Sequence, residues 1–236
     1  MNPKFRLQSA YVLHTRAYQE TSLIVELLTL DGRISAIAKG AKRPKSSFRG
    51  IVQAFLPLTI SYVGRSELKT LTYAEATHLL PLGGDHLLAG FYVNELLMRL
   101  LLKESPCGEL FQAYEEILTA LRAQEDLWVC LRIFEKALLK ALGYELNLSF
   151  DAHSGAQIDH TAEYVYLLDQ GPVRLSEALA TEDKNYIFSG KSLLALAQND
   201  LQDPIVRKQA KQLLQQAIQL HLGPRPLCSR DLFLSV

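Results

Sequence analysis

The feature that most constrains this chain is a change of hydrophobic rhythm at Pro81-Leu82-Gly83-Gly84. Ahead of it, β-branched, aromatic and aliphatic residues gather into five short runs, at residues 7–18, 22–29, 34–38, 53–63 and 67–78, and no stretch carries a helical period. Asp31-Gly32 between the second and third runs is a hairpin signal, because glycine accepts the positive φ of a tight primed turn. Gly64-Arg65-Ser66 joins the fourth to the fifth. Behind Gly84 the apolar spacing lengthens to three and four, which is the helical spacing.

Five antiparallel strands in about 75 residues favour closure into a small barrel, since closure removes the exposed edges. The expected fold class is therefore α+β: residues 1–80 as a five-stranded oligonucleotide-binding barrel, residues 81–236 as an α-helical domain with a small irregular and β insertion near 144–175. In such a barrel the face of the second and third strands and the loops around it take nucleic acid. Directly after the third strand stands Ala38-Lys-Gly-Ala-Lys-Arg-Pro-Lys-Ser-Ser-Phe-Arg-Gly50, with cations Lys39, Lys42, Arg43, Lys45 and Arg49 and no acidic residue. Gly40, Pro44 and Gly50 oppose a helix, so the stretch reads as a mobile basic loop able to follow a polyanion, or else as a charged, solvated connection. Arg16, Arg33, Arg65 and Lys69 extend the positive set, and Tyr18, Phe48 or Tyr62 offer a ring to an unstacked base unless they pack in the core.

The formal charge is zero overall, yet it divides unevenly. Residues 1–80 hold eleven Lys or Arg against five Asp or Glu, whereas residues 81–236 hold fourteen against twenty. A basic first third suits a polyanion, and the acidic remainder suits other partners.

The helical part begins with residues 85–103, where Leu88, Phe91, Tyr92, Leu96 and Leu100 form the expected buried stripe. A second helix covers 109–122, and a third covers 126–142, ending at Gly143 as a left-handed cap. Residues 144–175 lose periodicity apart from a strand-like run at 164–168. Helices are expected again near Ser176, over 191–198, and from the Asp203 cap and Pro204 to Leu222, with Val206, Ala210, Leu213, Ala217 and Ile218 inward.

Other classes find little footing. Cys107, Cys130 and Cys228 are odd in number and widely spaced, so neither a disulfide framework nor a thiolate zinc site is indicated. No apolar run approaches the roughly 18 residues a bilayer requires, and the start has no signal-peptide pattern, so a cytoplasmic protein is expected. Phosphate-loop, dinucleotide, serine-elbow and zinc-protease motifs are absent, and the carboxylate pairs Glu115-Glu116, Glu125-Asp126 and Glu182-Asp183 read as solvated charge. The expectation is a protein without catalytic activity or cofactor.

The ordered set Tyr11-Val-Leu-His14, Glu20-Thr-Ser-Leu23, Asp31-Gly-Arg33, Ala38-Lys-Gly-Ala-Lys42, Lys69-Thr-Leu71, Ala74-Glu-Ala76, Tyr92-Val-Asn-Glu-Leu-Leu97, Arg132-x-Phe134-Glu135, Leu142-Gly-Tyr144 and Ser229-Arg230-x-Leu232-Phe233 resembles the bacterial DNA repair and recombination mediator family RecO. The resemblance runs from about residue 11 to 233. It implies binding of single- and double-stranded DNA, annealing of complementary strands, and joint action with RecR in placing RecA on strands coated with single-stranded DNA-binding protein, in the RecF pathway at the nucleoid. It also implies that Lys39, Lys42, Arg43, Lys45 and Arg49 lie in the DNA-binding region. Arg132 on the third helix would then receive the acidic, hydrophobic carboxyl terminus of the single-strand binding protein, by pairing a guanidinium with a carboxylate beside an apolar groove. By its own residues alone, Arg132 reads as a helix-surface charge. Some family members carry a four-cysteine zinc site in the segment corresponding to 144–164. Here that segment has only His153 and His160, with Asp151 and Asp159, and no metal is expected. The alternative is a non-enzymatic adaptor whose barrel binds protein rather than DNA.

Overall fold

The computed structural model describes residues 6–77, 81–175 and 187–229. Five strands, β1 (Gln8–Tyr18), β2 (Ser22–Thr29), β3 (Gly32–Ala38), β4 (Pro57–Val63) and β5 (Leu68–Ala76), close into a barrel in the order β1-β2-β3-β5-β4. Every pairing is antiparallel except β3 with β5, a short parallel ladder from Ser35↔Leu68 to Ile37↔Thr70 that shuts the barrel. Alternation does the rest: Ala10, Val12, Val25, Leu27, Ile34, Ala36, Leu58, Ile60, Leu71 and Ala74 point inward, and the alanines leave room for the larger neighbours in so narrow a bore. Gly32 opens β3 directly after the Leu30-Asp31 turn, at φ 112, where a Cβ would lie 2.4 Å from the Ser105 carbonyl oxygen, so both the backbone conformation and the close approach require glycine.

Two helices, α1 (Gly84–Leu100) and α2 (Gly108–Arg122), belong to the same compact unit as the barrel, together with the chain returning from Pro226. They are joined to it by a buried aromatic and polar cluster. The Tyr11 ring lies 5.6 Å from Phe111 and 5.1 Å from Tyr114. Tyr114 donates to Asn94 Oδ1 at 2.7 Å, and Asn94 Nδ2 donates to the Leu13 carbonyl of β1 at 2.9 Å. Burial, with help from Glu115, pushes the Tyr11 phenol up to about 12, so it stays neutral and donates a hydrogen bond to Glu115 Oε1 at 3.2 Å. The returning segment is tied down by Glu95, which accepts from the Cys228 and Ser229 amides and from Ser229 Oγ at 2.9, 2.8 and 2.6 Å.

The second unit runs from Asp126 to Arg225. Its helices are α3 (Leu127–Ala141), capped by Asp126 accepting from the Trp128 and Val129 amides, α4 (Gly190–Ala197) and α5 (Pro204–Leu222), capped by Asp203 with proline in the first turn. α5 packs against both α3 and α4. Between α3 and α4 in the chain comes a three-stranded sheet in the order β7-β6-β8, made of β6 (Glu163–Leu167), β7 (Gly171–Arg174) and β8 (Ile187–Ser189). The segment expected to be mostly irregular thus holds a hairpin, with β8 added from a run of three residues too short to carry a period. The helix expected near Ser176 lies outside the described residues.

Candidate nucleic-acid interface

The basic stretch is not a free loop. From Lys39 to Leu56 the chain advances through successive tight turns: Arg43 N donates to Gly40 O, Ser46 N to Arg43 O, Arg49 N to Ser46 O and Ile51 N to Phe48 O, at 2.9 to 3.2 Å. Lys42 N reaches the Thr21 carbonyl at 2.9 Å, tying the stretch to the β1–β2 turn. Ala41, Phe48 and Val52 enter the barrel core and plug it. The stretch is a loop without a regular helix, as expected, but three apolar side chains whose irregular spacing carries no period anchor it to the core. What survives is the charge: Lys39, Lys42, Arg43, Lys45 and Arg49 are all exposed, on a backbone the core holds in place.

The remaining cations divide into two groups. Arg16 on β1 and Arg65 in the β4–β5 turn are exposed. Arg33 and Lys69 are not available in the same way. Arg33 pairs with the buried Glu26 at 3.0 Å and donates through Nε to the Leu101 carbonyl at 3.2 Å, while Lys69, 7% exposed, pairs with Glu104 at 2.8 Å. Both serve to hold the connection between α1 and α2. Glu104 N donates to Arg33 O at 2.9 Å, and Cys107 N donates to Leu30 O at 3.2 Å, so this connection covers the end of the β2–β3 hairpin. Along β2 only Leu23 is even half-buried; the rest is buried. The outer face of the second and third strands, expected to take nucleic acid, is therefore occupied by the chain itself, and the exposed basic surface lies at the plug.

The aromatic candidates also sort by burial. Phe48 is in the plug, 8% exposed, and Tyr62 packs against the barrel core, while Tyr18 stays half-buried at the end of β1. One aromatic missed by periodicity is Phe91, assigned to the inward stripe of α1 but 43% exposed.

In the second unit Arg132 is 4% exposed, not a surface charge. Its Nη2 pairs with Glu135, which is fully buried, and among the described residues its Nε and Nη1 have no hydrogen-bond acceptor. Half-exposed Trp128 lies one turn earlier, with Lys211 Nζ 5.1 Å from its ring centre. On the outer side of α3, a shallow cavity of about 440 Å³ is lined by Ile133, Lys136, Ala137 and Lys140.

Asp151 organises the segment that holds His153 and His160. Its carboxylate accepts from His153 N, Ser154 N, Ser154 Oγ and Arg174 N at 2.8 to 3.0 Å. Burial raises its proton affinity, but those hydrogen bonds outweigh it and hold the group below the usual carboxylate range. Asp159 is engaged with Thr161 and Arg174. No cluster of three or more ligating side chains occurs among the described residues, and no described helix is long and apolar enough to cross a membrane.

A closed five-stranded barrel with a basic plug, followed by helices and a small sheet, defines a protein of the oligonucleotide-binding-barrel class with an appended helical part. Comparison with known proteins narrows this. Residues 3–80 match the family model for the recombination protein O N terminal, and residues 83–231 match that for its C terminal. The chain is 45% identical to the DNA repair protein RecO of Methylococcus capsulatus over 97% of its length and 93% of that protein's. It is 44% identical to RecO of Nitrosospira multiformis, over 95% and 93%, and 43% identical to RecO of Haemophilus influenzae, over 96% and 95%. The chain belongs to the RecO family of DNA repair proteins.

Proposed function

We propose that this chain is a non-enzymatic mediator that binds single- and double-stranded DNA through the barrel plug and anneals complementary strands. With RecR it would help place RecA on strands coated by single-stranded DNA-binding protein, acting in the cytoplasm at the nucleoid. The observation that carries the DNA reading is the plug: five exposed cations within eleven residues, no carboxylate among them, on a backbone fixed by the barrel core. A pre-formed basic surface loses little conformational entropy on meeting a phosphate chain. Its lysines and arginines release counterions there.

For the protein partner, Arg132 has two guanidinium nitrogens without acceptors, Nε and Nη1, just beneath the surface, and exposed Trp128 lies one turn away. A terminal carboxylate with an aromatic neighbour suits such a pair. That is the chemistry of an acidic, hydrophobic carboxyl-terminal tail such as the single-strand binding protein's.

The test is fluorescence anisotropy of a labelled oligonucleotide at several salt concentrations. Five phosphate contacts on a single strand predict that log K falls with log salt at a slope of about 3.5, so a fourfold rise in salt weakens binding roughly a hundredfold. A flat response in dilute buffer would leave the barrel as a protein-binding module.

A further inference from the structure

The interface proposed above supplies charge, but the ring that lies within the basic stretch, Phe48, is committed to the core. The structure assigns that role to Phe91. We infer that Phe91, on α1, is a stacking platform for one base of a single strand whose phosphates lie on the plug; this rests on the DNA-binding reading and adds to it.

Four observations bear on it. First, Phe91 is 43% exposed on a helix whose buried face packs against β1 and α2, and Leu88, the nearest upstream member of its expected stripe, is half-buried. Second, its ring is held: it meets Phe55 at 5.3 Å and 67°, an edge-to-face contact that fixes one side of Phe91. Third, Phe55 is built into place at some cost. It adopts φ 69, rare for a bulky residue, and its carbonyl accepts from Arg122 Nη2. Gly90 makes room for it, because a Cβ there would lie 2.8 Å from the Phe55 ring. Backbone strain of this kind persists where the surroundings over-determine it, and it concentrates at functional sites. Fourth, Phe55 belongs to the plug segment itself, six residues after Arg49. Even a fully extended chain between them spans about 20 Å, within the reach of the four to sixteen nucleotides that one such barrel covers.

An isolated exposed phenylalanine is ordinary. A rigid one, supported by a strained partner from the segment that carries the cations and by a glycine that leaves room for that partner, matches what base stacking requires: a flat apolar surface already ordered before the strand arrives. The occupant is an unpaired base rather than a protein side chain, because the segment that supplies the supporting Phe55 carries five exposed cations and no carboxylate from Lys39 to Arg49, a charge pattern that follows a phosphate chain.

The experiment compares wild type, Phe91→Ala, Phe91→Leu and Phe91→Tyr for binding to an oligothymidylate, to an abasic strand of equal length and to a duplex. Phe91→Leu retains apolar packing on Phe55, and melting curves verify that each variant is folded. Expected results are about tenfold weaker binding of oligothymidylate by both Ala and Leu variants, near-wild-type binding by Tyr, and little change on the abasic strand or the duplex. The salt slope stays as in wild type, because no cation is removed. Equal losses on all three nucleic acids, or none on oligothymidylate, would overturn the assignment of Phe91 while leaving DNA binding in place. If wild type itself ignores DNA, the DNA reading fails instead.

Discussion

Among single residues, the cations separate by what lies around them. Lys42 and Arg43 are exposed on the plug, so Lys42→Ala with Arg43→Ala should lower the salt slope of single-strand binding by about 1.4, two phosphates' share, at nearly constant stability. Arg33 predicts the opposite. Its removal leaves Glu26 buried without its cation, so Arg33→Ala should cost about 3–5 kcal/mol in a denaturant titration and leave the salt slope unchanged. A reduced slope in that variant would return Arg33 to the interface. Arg132 needs a gentler change, because Glu135 beside it is fully buried and truncation would strand that carboxylate. Arg132→Lys keeps a cation but loses the fork, and should weaken an acidic tail peptide several-fold while bare-DNA affinity holds. Equal peptide binding by variant and wild type would remove Arg132 from that site.

At the level of elements, the plug and the α1–α2 connection explain why the exposed basic surface lies away from the β2–β3 face. The plug turns irregular sequence into a fixed basic surface by burying Ala41, Phe48 and Val52. The connection covers the hairpin end and draws Arg33 and Lys69 into internal pairs. In the second unit, the loop around Asp151 and strand β7 are held by one carboxylate, which accepts from the Arg174 amide as well as from its own turn. Its pKa is depressed in the folded state, so its contribution is present above the ordinary value of about 3.9 and is lost as pH falls through the lower, folded value. Acid titration of stability should therefore be steeper below about pH 4 for wild type than for Asp151→Asn, which carries no titrating group there. Parallel curves would mean that the carboxylate does not support the fold in this way.

For the whole molecule, the order of the chain and the order of its compact units differ. The barrel unit is completed from the far end of the sequence, where Leu227 is buried and Glu95 holds the Cys228 and Ser229 amides. Ending the chain at Arg225 should lower the melting temperature by at least about 3 °C, from the loss of one buried leucine and the Glu95 contacts. Unchanged melting would mean that the returning segment contributes nothing to the barrel unit.

The sequence by itself determined the five strands, the turn at Asp31-Gly32, the break after Pro81, the capped helices from Asp126 and Asp203, and the concentration of charge at 39–49. Each depends on neighbours within a few residues, through periodicity, φ preference or local charge. Only the tertiary structure decided that the basic stretch is a plug, that Arg33, Lys69 and Arg132 are internal, that Phe91 faces outward, and that residues 187–189 complete a sheet. Those outcomes rest on contacts between distant segments, such as Arg33 with Leu101 or Phe55 with Phe91, whose burial no local pattern encodes.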